Sequence, residues 1–169
     1  MEFLAWLEQT GFGTWVRESP SVFAYPTILF LHTVGLGFLV GTNVVIDLRL
    51  LGFASEAPLA PLEQFFPIMW IGFWINALSG TALLIADATT KFTNPVFGIK
   101  MACVALSVAN MILIRRKVLR GSGAASGTVP PIGTVLAVTS IVLWAGTITA
   151  GRLMAYLGPV AGAPGLLNR

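Results

Sequence analysis

Four runs of about 20 apolar, almost uncharged residues constrain this chain more than any other feature, because a helix of that length crosses roughly 30 Å of hydrocarbon. They extend from about Thr27 to Ile46, Phe65 to Ala86, Val96 to Ile114 and Ile132 to Leu157. Polar or helix-breaking residues close them: Asp47 and Arg49, then Asp87, then Arg115-Arg116-Lys117, then Gly158-Pro159. Pro26, Pro67 and Pro130-Pro131 stand near three of the starts, where a helix tolerates proline. None of the runs alternates with period two, so helices rather than barrel strands are the spanning element. Composition points the same way. Charged residues make up 10% of the 169 and hydrophobic ones 56%, whereas a soluble domain carries about 25% charge. That excludes a cytosolic enzyme, a nucleic-acid-binding module and a disordered protein. The expected fold is all-α: one integral membrane four-helix bundle over residues 1–169, with the lipid bilayer as its solvent.

Before the first span, residues 1–18 place Phe3, Leu4, Trp6 and Leu7 at near-helical spacing with Glu2 and Glu8 interleaved. No basic start precedes them, so they do not read as a signal peptide. They read as a short amphipathic helix lying in the membrane interface, anchored by Trp6 and Trp15 and interrupted by Gly11 and Gly13. The net charge of +3 has a topological rather than a nucleic-acid meaning. Arg115, Arg116, Lys117 and Arg120 cluster in one loop, and Arg49 lies on the same side. Arg17, Lys91 and Arg169 lie on the other. The positive-inside rule then makes the cluster cytoplasmic in a bacterial inner membrane and puts both termini outside, in the periplasm. Gly121 to Thr128 reads as a flexible connection on the cytoplasmic side.

Ionisable groups at membrane depth are costly and are functional candidates by default. The only histidine, His32, stands about six residues past Pro26, roughly 9 Å below the outer boundary at 1.5 Å per residue. Lys100, Arg152 and Asp87 fall near the same depth on three other spans. On helical wheels, His32, Gly35, Leu39 and Asn43 share a face, while Thr33, Gly37 and Gly41 form a small-residue ladder on another. Gly72, Asn76 and Gly80 recur every fourth residue in the second span. Lys100, Cys103, Ser107, Asn110 and Met111 share a quadrant of the third. One reading makes His32 an axial ligand of haem b, with Lys100 and Arg152 holding the propionates. Met101 and Met154 point away from those cations, so the iron is five-coordinate or takes a ligand from a second subunit. The plainer reading is a buried histidine bonded to Asp87, a hydroxyl or a backbone carbonyl. Copper is disfavoured, since a lone cysteine, Cys103, and scattered methionines make no ligand cluster. A proton-coupled site using His32 and Asp87, within a polar set that includes Asn76 and Asn43, stays open. Asp47 and Arg49 read as a structural anchor, paired with other helices or lipid phosphate.

The order Ser21-x-x-x-Tyr25-Pro26, His32-x-x-Gly35, Gly41, then Asp47-Leu48-Arg49-Leu50-Leu51-Gly52 resembles a family of uncharacterised bacterial four-helix inner-membrane proteins. Asn94-Pro95-x-Phe97-x-x-Lys100 fits the same pattern, and its last part is distantly similar to copper-resistance D-type and b-type cytochrome bundles. The resemblance implies a redox or metal role. One histidine instead of four departs from the dihaem cytochromes. Three functions follow as expectations: a non-enzymatic haem-binding or redox-associated subunit, a structural or assembly subunit of a membrane complex, and a small proton-linked transporter. Each is expected to oligomerise or to join other membrane subunits.

Overall fold

The structure, a computed structural model, describes residues 2–121 and 127–157. The expected connection from Gly121 to Thr128 lies largely outside them, as does Arg169. Two short helices, α1 (Glu2–Glu8) and α2 (Gly11–Glu18), lead into the first long one, α3 (Tyr25–Leu50). A loop and a 3₁₀ turn (Ala60–Phe65) then enter α4 (Phe66–Ala86). After the short α5 (Ala88–Thr93), α6 (Pro95–Ile114) ends in a π-helical turn, Arg115–Leu119, and α7 (Pro131–Leu157) completes the described chain. Among the described residues there are no strands. The four long helices are each apolar and long enough to cross a bilayer, so the chain is a multi-pass α-helical membrane protein.

Their starts follow the sequence closely. Proline occupies the first turn of α3, α4 and α6, where its missing N–H is one the helix leaves unpaired anyway. Asn94 caps α6, its side chain accepting from the Val96 N–H at 2.9 Å. Helix α3 runs one turn further than the apolar run, carrying Asp47 and Arg49 inside it. The helices pair as antiparallel hairpins, α3 on α4 and α6 on α7, and the pairs join mainly through α3 and α7. Leu39, Ile46, Phe66, Met69, Met111, Ile114 and Trp144 fill the centre. Phe30, Phe38, Trp74, Leu78, Leu106 and Val142 face outward, as lipid contact requires.

The N-terminal segment differs from its reading in one respect. Gly11 and Gly13 do not interrupt a helix; they open α2, whose cap is Thr10, accepting from the Gly13 N–H at 3.2 Å. The break falls at Gln9 and Thr10. A Cβ at position 13 would lie 2.8 Å from the Glu8 carbonyl, so glycine lets the two helices fold tightly together. Phe3, Trp6, Phe12 and Trp15 remain exposed, an aromatic face suited to the headgroup level.

Candidate functional site: a polar interior

The small-residue contact that closes α3 on α4 is not the Gly37–Gly41 ladder. A Cβ added at Gly37 or Gly41 would meet nothing within 4 Å, whereas one at Gly35 would stand 2.7 Å from the Asn76 backbone nitrogen. Gly37 and Gly41 lie on the exposed side of α3, rotated away from its partner. The contacting face is the one that carries His32, Gly35, Leu39 and Asn43.

At the Pro26 end of α3 this face holds His32 firmly. Its Nδ1 lies 3.0 Å from the Asn76 carbonyl and 3.2 Å from Ser79 Oγ. A carbonyl only accepts, so Nδ1 carries the proton and donates, and Nε2 keeps the lone pair. Asn76 Nδ2 donates in return to the His32 carbonyl at 2.7 Å. Gly80 lets the ring approach α4 closely: a Cβ there would be 2.9 Å from His32 Cε1. Lys100 comes from α6 within electrostatic reach of the imidazole, its Cε and Nζ lying beside Gly151 of α7.

The other expected members of this level stand apart. Arg152 is exposed, one residue round from the Gly151 position that Lys100 touches. Asp87 ends α4 and pairs with Lys91 at 3.4 Å. It is seven residues past Gly80, about 10 Å further along the helix. Asn43 belongs to a different cluster.

That second cluster lies toward the other end of α3 and centres on Asp47, which is fully buried. Asn43 Nδ2 donates to Asp47 Oδ2 at 2.8 Å and also to Ser140 Oγ of α7. Asp47 Oδ1 has no partner among the described residues. Arg49, two residues on, turns the opposite way and clamps the loop after α3, donating to Ala57 O at 2.6 Å and Ser55 O at 2.8 Å. Sequence alone gave no sign of the Asp47–Ser140 neighbourhood, because Ser140 lies on another helix and reads as a packing residue.

Between the two clusters the interior is mainly apolar, filled by Leu39, Met69 and Trp144, with a few polar groups set among them. Ser107 Oγ and Trp144 Nε1 are buried without a partner among the described residues. Asn110 Nδ2 donates to the Leu136 carbonyl at 3.0 Å, and Cys103 faces Gly146. Those contacts fix the antiparallel register of α6 and α7, and it sets Ser107 within about a turn of Ser140. From His32 to Asp47 is fifteen residues, about 22 Å along α3. The two ionisable side chains are therefore separated by most of a bilayer's thickness, with isolated hydrogen-bonding groups in the apolar core between them. Among the described residues, no three His, Cys, Asp or Glu side chains gather closely enough to hold a metal ion.

A four-helix integral membrane protein whose apolar core holds buried polar groups, some without a partner among the described residues, is thus the class that fold and site define. No family model, curated protein or solved structure matches the chain.

Proposed function

We propose that the chain is a small proton-conducting membrane protein whose path runs through the bundle between His32 and Asp47. One observation carries the reading: Asp47, wholly buried in the last turn of α3, keeps a carboxylate oxygen with no partner among the described residues, beside Asn43 and Ser140. A buried polar atom left unpaired costs about 1–3 kcal/mol. Ser107 Oγ and Trp144 Nε1 add two more such atoms between Asp47 and the His32 level. Water bonded to these atoms offsets that cost and links the two ionisable ends into a relay. A proton entering near Lys100 is taken up at His32 Nε2, since Nδ1 is already committed to Asn76. It leaves through the Asp47 carboxyl. The arginine-rich end is taken as cytoplasmic and the membrane as the bacterial inner membrane, so conduction runs between periplasm and cytoplasm.

Purified protein in liposomes holding a pH-sensitive dye should acidify or alkalinise the lumen under a potassium diffusion potential. Asp47→Asn should lower the rate about tenfold or more, while the variant stays folded because the asparagine oxygen still accepts from Asn43 Nδ2. Flux no greater than that of protein-free liposomes rejects the reading, and so does an Asp47→Asn rate equal to the parent's.

A second reading has its own support. A histidine whose Nδ1 is fixed by a backbone carbonyl presents Nε2 in the orientation of a metal ligand. His32 would ligate haem b through Nε2, with Lys100 beside one propionate; Arg152, on the outer surface, could meet the other only beyond the bundle. Protein produced with haem supplied should then show a Soret band that His32→Ala abolishes. Folded, colourless protein rejects it.

A further inference from the structure

At the end of the bundle opposite His32, the π-helical turn after α6 does something a regular helix would not. Its i→i+5 hydrogen bond, from the Arg120 N–H to the Arg115 carbonyl at 3.0 Å, stacks Arg120 over Arg115. In an α-helix two residues five apart point about 140° from each other. Here both guanidiniums reach the same oxygen of Glu63, Arg115 Nη2 at 3.0 Å and Arg120 from its Nε at 2.6 Å. Val118 and Leu119 are turned into the core instead.

One carboxylate cannot neutralise two guanidiniums, and Arg116 forms no ion pair among the described residues. The three arginines rim a cavity of about 260 Å³ whose remaining walls are Phe66, Trp70 and Ile112. Arg115 also lies over the Phe66 ring, 5.0 Å from its centre, which holds the guanidinium plane in place. A volume of several waters, with a fixed cationic rim and an aromatic wall, suits a phosphate group.

We propose that this cavity binds the phosphodiester headgroup of an anionic phospholipid. Free inorganic phosphate shares that charge, but the apolar wall favours the lipid. Phe66, Trp70 and Ile112 lie in the membrane-spanning helices just below the arginines. An acyl chain descending from a phosphate on the rim passes over them. Basic pockets between helix ends recognise anionic lipids in this way. The site is about a bundle's length from His32 and owes nothing to the proton-path reading.

The test is native mass spectrometry of the protein in mild detergent after mixing with phosphatidylglycerol or phosphatidylcholine. Phosphatidylglycerol should be retained on the parent, phosphatidylcholine should not, and millimolar inorganic phosphate should fail to displace the lipid. Arg116→Gln, whose side chain holds no other element in place, should lower retention several-fold, and Arg116→Gln with Arg120→Gln about tenfold. Lys91→Gln, which removes one charge from the far end, should retain lipid as the parent does. Equal retention of the two lipids, unchanged retention in Arg116→Gln, or full displacement by phosphate alone each overturns the proposal. Should the double variant unfold, Arg116→Gln alone decides.

Discussion

Gly35 and Gly72 bring the backbones of α3 and α4 into direct contact. A Cβ on Gly72 would stand 2.8 Å from both the Gly35 carbonyl and the Leu39 nitrogen, and one on Gly35 would be 2.9 Å from the Gly72 carbonyl. Lipid supplies no hydrophobic drive between helices, so such close packing is what holds this pair together.

Gly35→Ala or Gly72→Ala should therefore force α3 and α4 apart and cost about 1–3 kcal/mol, the usual range for overpacking. Gly37→Ala and Gly41→Ala, which add a methyl where nothing lies within 4 Å, should leave stability unchanged within about 0.5 kcal/mol. Unfolding by titration with a denaturing detergent measures all four. A Gly37 or Gly41 variant as damaged as Gly35→Ala would mean that a second copy packs on that face.

The fold was more legible than the site, and the reason is physical. Length, apolarity and the prolines at 26, 67 and 131 locate the spans, because the bilayer sets how long each must be. In lipid, though, the outer face of a helix is as apolar as the inner one. Leu39 is buried and Phe38 exposed, and no hydrophobic pattern separates them. Only small and polar positions mark the interior, and two stripes on α3 competed for that role. The face of His32 and Gly35 is visible on the wheel, and so is the Gly72, Asn76 and Gly80 stripe that meets it, but the Ser79 contact to the imidazole depends on the rotation of α4. Asp47 reads as an anchor at a helix end because the apolar run stops at Ile46, whereas α3 continues a turn beyond it. The π turn had no sequence sign at all.

Asn43 serves two acceptors at once, Asp47 Oδ2 and Ser140 Oγ, at the junction of the two hairpins. Asn43→Ala leaves the Asp47 carboxyl with less hydrogen bonding in a fully buried position, so a loss of about 1–3 kcal/mol is expected. Asn43→Ala combined with Asp47→Leu removes donor and acceptor together and should recover part of that loss. Thermal denaturation in detergent reads both. No recovery in the double variant would show that Asp47 is satisfied without Asn43.

Arg49 is buried at the end of α3, and its guanidinium donates to the carbonyls of Ala57, Ser55 and, at 3.5 Å, Gly127. The loop it spans contains Gly52 and Ala54 with positive φ, 98° and 51°, so the turn is held rather than relaxed. Lysine cannot reproduce a fork of donors. Arg49→Lys should therefore open the loop and speed cleavage after the exposed Glu56 by a glutamate-specific protease about tenfold. Cleavage at the parent's rate would show that the helix ends alone fix the loop.

The interfacial helices are tied to the bundle by charges placed at helix ends. Glu8 Oε1 accepts from the Thr89 N–H at 2.6 Å, serving the first turn of α5 where the Asp87 side chain makes no cap. Arg17 Nη1 donates to the Ala86 carbonyl at 3.2 Å, at the last turn of α4. An acid at a helix start and a cation at a helix end both oppose the local dipole favourably. Glu8→Ala should thus expose the Thr89 amide and cost about 0.5–2 kcal/mol in local stability, the range for a lost cap. Glu8→Gln keeps an accepting oxygen and should lose less. Amide hydrogen exchange over residues 88–93 distinguishes them: faster exchange in Glu8→Ala, with Glu8→Gln between it and the parent. Because the same contact seats Trp6 and Trp15 beside the bundle, Glu8→Ala should also leave those indoles more accessible to an aqueous quencher. Unchanged exchange together with unchanged quenching would mean that the aromatic face, gripping the interface by itself, holds α1 and α2 in place.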